Sequence, residues 1–133
     1  ENREKLAENF KKVSLYGLGL SVLLTAGAVI ISPFAFKILY GDNFLPSVPY
    51  VAGLIIYGAL YGIGVGLGPM WRAINSVKVS IVINLIILGA GIPFGLWLIK
   101  NYGLWGSVAM VTIWFTVSHF FSFIYLMKKL KVN

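Results

Sequence analysis

The chain has 133 residues, 59% of them hydrophobic and only 11% charged, and it carries a formal charge of +7. So little polar surface cannot clothe a water-soluble globule. The absence of cysteine excludes a disulfide framework and a thiolate metal site.

The charges are segregated. All eleven cations and all four carboxylates fall outside four uncharged runs, at 13–36, 43–71, 79–99 and 101–127. A membrane-crossing helix needs about 20 mostly apolar residues, and each run is long enough. The expectation is an all-α integral membrane segment over 1–133, with transmembrane helices near 13–36, 47–70, 79–99 and 104–127.

With four spans, the N-terminal segment, the middle connector and the C-terminal tail share one side. They hold Arg3, Lys5, Lys11, Lys12, Arg72, Lys78, Lys128, Lys129 and Lys131, whereas the opposite connectors hold only Lys37 and Lys100. Lys- and Arg-rich loops stay cytoplasmic, so both termini are expected inside. Anionic lipid headgroups account for these cations, and no basic aqueous module is present to receive nucleic acid. A chain opening on Glu1 and running straight into a span reads as part of a longer polypeptide.

Residues 1–12 are polar, with Leu6 and Phe10 one turn apart. They predict a helical cytoplasmic lead-in continuous with the first span. Proline ends helices, so that span is expected to stop at Ser32-Pro33. Gly41-Asp42-Asn43 then supplies turn chemistry. Around it, Tyr40, Phe44 and Tyr50 suit an outer aromatic belt.

Glycine crowds the second span. Gly58, Gly62 and Gly66 fall four apart, and Gly64 and Gly68 repeat the step. Such spacing lets helix backbones approach closely, which reads as a packing seam. A helix loosened enough to bend is the other reading.

Pro93, flanked by Gly89 and Gly91, predicts a kink in the third span and a candidate hinge. Ser80, Asn84, Gly91 and Gly95 share one face of that span. Trp97, Tyr102 and Trp105 mark its outer end and the start of the fourth. In the fourth span Thr112, Thr116, His119 and Ser122 follow steps of four, three and three. With Asn84 they are the candidate transport-pathway residues, although a polar stripe in a membrane also serves as hydrogen-bonded glue between helices.

No catalytic constellation, cofactor site or metal site can be assembled from one histidine, no cysteine and carboxylates confined to Glu1, Glu4, Glu8 and Asp42. His119 reads first as a bundle residue. No ionised carboxylate or cation stands inside a span, so ion coupling through this segment is not expected.

The order of these features resembles a known family. Ser32-Pro33 precedes Ile38-Leu39-Tyr40-Gly41-Asp42-Asn43-Phe44 and a long glycine-rich span. Next come Trp71-Arg72-Ala73-Ile74-Asn75-Ser76-Val77-Lys78, Asn84, and the hairpin Tyr102-Gly103-Leu104-Trp105-Gly106-Ser107. The pattern is similar to the C-terminal domain of polysaccharide biosynthesis (O-antigen-type) flippases, in the multidrug/oligosaccharidyl-lipid/polysaccharide exporter superfamily. That resemblance implies a two-lobe transporter of 12–14 helices in the cell membrane, of which this is the end of the second lobe. It also implies alternating access and a lipid-linked oligosaccharide on a polyprenol pyrophosphate as substrate. Arg72 and Lys78 would then be the basic cytoplasmic connector. Family members often line the central cavity with cations, and no span here carries one. Alternative readings are a multidrug or cation extrusion transporter on the same scaffold, and a stand-alone four-span membrane partner protein.

Overall fold

The computed structural model describes residues 3–131; Glu1 of the expected lead-in lies outside them, as does the side chain of Lys131. Every regular element among the described residues is helical. Helix α1 spans Arg3–Tyr40, α2 Val48–Gly53, α3 Ile55–Gly64, α4 Leu67–Ala73, α5 Val77–Tyr102 and α6 Leu104–Lys131. A 3-10 segment, Asp42–Ser47, joins α1 to α2.

Three helices, α1, α5 and α6, are each long and apolar enough to cross a membrane. The return from α1 to α5 is not one helix. Asp42–Gly53 and Ile55–Ala73 meet the same test only together, bent by 46°. The stretch expected as the second span, 47–70, is thus a bent and broken pass rather than one helix. At Leu54 the N–H is shared between the carbonyls of Tyr50 and Val51, at 3.2 and 3.1 Å. At Val65 it reaches back only three residues, to Gly62, at 3.3 Å. Glycine supplies the looseness, and Pro69 removes the donor that would have bonded the Val65 carbonyl at the second break.

The first span corrects the sequence reading in the other direction. Helix α1 does not stop at Pro33; it runs 38 residues, about 57 Å at 1.5 Å per residue. Proline cannot donate to the carbonyl of Val29, which would be orphaned. The Ser32 hydroxyl donates to that carbonyl instead, at 2.8 Å. Side-chain rescue of this kind is how membrane helices carry proline. Likewise α5 is a single element through Pro93.

The helices run alternately up and down. Phe10 meets Phe123 at 5.2 Å and Trp71 stacks on Tyr125 at 5.3 Å, so both ends of the chain and the α4–α5 connector lie together. The buried core sits at this end and comprises Phe10, Leu67, Met70, Trp71 and Leu126. At the opposite end Tyr50 packs on Trp105 at 5.0 Å. Most of the remaining large apolar side chains point outward, among them Leu23, Ile30, Phe34, Ile86 and Phe120.

Both tight connectors use positive φ. After α4, Asn75 takes φ 51°. The Ser76 and Asn75 N–H groups then bond the carbonyls of Trp71 and Arg72, both at 3.0 Å. This is a Schellman end, with asparagine in glycine's usual place. Gly103, at φ 57°, is the whole turn between α5 and α6.

Candidate functional site

Two glycine seams organise the bundle into pairs. Gly58, Gly62 and Gly66 all face α1, where a Cβ would strike Thr25, Ser21 and Phe10 respectively. On the other pair, Gly95 receives the Met110 side chain, and Gly106 lies against the backbone of Leu98. Small residues let backbones approach where no hydrophobic force drives helices together. Thus α1 is locked to α3, and α5 to α6.

The pairs meet where α3 crosses α6. Tyr57 sets its ring edge-on to Phe115 at 4.7 Å. Two turns further along α3 and one along α6, Gly64 lies directly against the His119 ring, with no room for a Cβ beside Nε2. Below this crossing, toward the end holding the chain termini, the pairs part around a cleft of about 470 Å³. The broken second pass contributes Tyr61, Gly64, Gly68 and Trp71; α5 contributes Ser80 and Asn84; α6 contributes Trp114, Ser118, His119 and Ser122.

The polar groups are organised by hydrogen bonds. Asn84 donates through Nδ2 to the Ser80 carbonyl at 2.8 Å, and its Oδ1 accepts from the Ser118 hydroxyl at 2.8 Å. This last bond ties α5 to α6. His119 Nδ1 lies 2.8 Å from the carbonyl of Phe115. A carbonyl only accepts, so Nδ1 carries the proton and neutral His119 keeps a lone pair on Nε2. Ser122 is buried. Among the described residues no charged side chain lines the cleft, and no group of three His, Cys, Asp or Glu side chains converges to hold a metal.

Of the five pathway candidates, Asn84, His119 and Ser122 line this cleft; Thr112 and Thr116 do not. Their hydroxyls turn back onto their own helix, to the carbonyls of Val108 at 2.9 Å and Thr112 at 2.7 Å. The geometry of the stripe explains this. Steps of four, three and three carry Ser122 about 80° round the helix from Thr112, because 3.6 residues make a turn. Ser118 was missed by that spacing. The signal pointing to it was Asn84, a span amide that needs a partner across the interface.

On the far side of the α5–α6 pair lies a second cleft, of about 420 Å³ and wholly apolar, lined by Ile87, Ala90, Phe94, Met110 and Val117 among others. Trp114 lines both clefts. Gly91, on the hinge candidate, also borders the apolar cleft, while Gly89 faces open space. Arg72 and Lys78 are exposed at the α4–α5 connector, outside either lining. Comparison with protein-family models, curated proteins and solved structures finds no match to the chain.

Proposed function

We propose that the chain is a membrane-embedded part of a flippase for lipid-linked oligosaccharides, set in the cell membrane with both termini cytoplasmic. The bent return pass makes the fourth span, and further helices of a two-lobe transporter complete the fold. The observation carrying this reading is the shared Trp114. On one side of it is a hydrogen-bonding cleft, on the other an apolar groove. An amphiphile needs both environments at once, a wet one for its head and a dry one for its chain. Single-ended substrates, such as a metal ion or a small hydrophilic solute, need only the first.

Orientation is supported by the cations. The end holding the chain termini and the α4–α5 connector carries Lys11, Lys12, Arg72, Lys78, Lys128 and Lys129, and the other end carries Lys37 and Lys100. Lys37 is in turn paired with Asp42 at 3.6 Å. An excess of Lys and Arg faces the cytoplasm.

The test is leaflet distribution. Cells depleted of the protein that contains this chain should accumulate lipid-linked oligosaccharide in the cytoplasmic leaflet, and re-expression should clear it. An unchanged distribution between leaflets on depletion overturns the proposal.

A further inference from the structure

We infer that the polar cleft takes an uncharged, hydroxyl-bearing group, a saccharide ring, and excludes the phosphate that links sugar to lipid. The inference rests on the flippase reading and assigns one part of its substrate to one part of this chain. It follows from how the cleft's hydrogen bonds are spent.

The Ser118 O–H and the His119 Nδ1–H are both used internally, on Asn84 and Phe115. An Asn84 N–H is used on Ser80. Asn84 Nδ2 lies 3.4 Å from Ser80 Oγ, too long for its second N–H to make a strong bond, while Asn84 Oδ1 and Ser118 keep lone pairs to accept with. Tyr61, Ser80 and Ser122 add hydroxyls to the same lining. The cleft therefore presents uncharged donors and acceptors together. A sugar hydroxyl, which donates as well as accepts, answers both. A phosphate dianion has only acceptors to present and leaves those lone pairs unmatched.

Charge gives the same answer. Among the described residues no cation lines the cleft, and moving an unpaired anion out of water into such a site is expensive. Nor does a carboxylate of those residues line it, so an organic cation finds no counter-charge there. The apolar walls suit a sugar's C–H faces, since Trp71, Trp114 and Tyr61 surround the polar groups. Pockets of roughly 300–1,000 Å³ with aromatic walls and a few fixed polar groups are the ordinary form of a small-molecule site. Outside the lining, Lys129 lies over the Tyr125 ring that stacks on Trp71. A phosphate would stay out there, with the sugar inside.

The test uses the ring of His119, which lines the cleft, as its reporter. The full-length protein that contains this chain, its histidines 15N-labelled, is held in lipid nanodiscs and titrated with dodecyl maltoside or dodecyl phosphate, each below its micellar concentration; the His119 signals are those that vanish in His119→Gln. The maltoside should move the His119 ring resonances saturably, as expected of a ring that lines the occupied cleft. The phosphate, with the same chain, should not. Asn84→Ala and Ser118→Ala should each weaken the maltoside response at least fivefold. Thr116→Ala, on the same helix outside the cleft, should leave it unchanged and controls for folding. A phosphate response equal to or tighter than that of maltoside overturns the inference, as does a maltoside response indifferent to Asn84 and Ser118. Neither result touches the leaflet assay. Conversely, sugar-selective binding with an unchanged leaflet distribution would sink the flippase reading and leave the cleft's selectivity standing.

Discussion

Gly17 on α1 and Gly62 on α3 hold each other's carbonyls: a methyl group at either position would run into the other's oxygen. The obstacle is backbone, which cannot swing aside as a side chain can. Gly62→Ala should therefore cost about 1–3 kcal/mol, the usual range for overpacking. Gly19→Ala, with open space around it, should be neutral or gain up to about 1 kcal/mol of helix propensity. Unfolding in detergent micelles measures both. Equal effects of the two substitutions would show that the seam is not where stability resides.

Ser32 and Pro33 make a testable pair. Ser32→Ala leaves the Val29 carbonyl without its hydroxyl donor, at a cost of about 1–2 kcal/mol in an apolar setting. Pro33→Ala restores the N–H that the carbonyl lacked. The double variant should then lose much less than Ser32→Ala alone, and a double-mutant cycle reads the coupling directly. Strict additivity would mean that the hydroxyl does not substitute for the missing N–H.

Topology can be read with single cysteines, since the sequence has none of its own. Asn43 and Ala73 are both exposed. On intact cells an impermeant thiol reagent should label Asn43→Cys and spare Ala73→Cys until the membrane is opened. The reverse pattern would place the termini outside. Ser76, the more obvious connector position, is buried and would report poorly.

Gly64 and His119 form the contact that aims the imidazole. In the native protein the ring should be seen as the Nδ1–H tautomer, fixed by the Phe115 carbonyl. Gly64→Ala places a methyl group where Nε2 now lies. The ring must turn, and the Nε2–H tautomer common in free imidazole should appear in 15N spectra. A native tautomer in that variant would mean that α3, not the ring, gives way.

Much of the bundle was legible in the sequence because membranes punish misplaced charge. The runs between charges mark α1, α5 and α6, and the Gly103 hairpin follows from its spacing. The break in the return pass was not legible. Glycines at four-residue steps fit a straight seam and a bent helix equally, and here Gly62 serves in the seam while accepting the shortened bond from Val65. Pro33 misled for a related reason. Proline as a terminator presumes that the freed carbonyl has nowhere else to go, and the neighbouring Ser32 supplied a donor. At the cleft, residue type singled out Asn84, His119 and Ser122, which the structure places in its lining. Spacing alone could not reveal that the threonine hydroxyls are satisfied within their own helix.

The fractured return pass also bears on how the protein is made. Its pieces are six, ten and seven residues long. Even the longest, at about 15 Å, covers only half of a hydrocarbon core about 30 Å thick. None can be released into lipid as a finished span. Helix α1 emerges from the ribosome first and is long enough to stand alone, so it is the rail against which the pieces must be laid down. A lesion in the Gly17–Gly62 contact would then act during synthesis, leaving chains stalled at the insertion machinery and open to proteolysis.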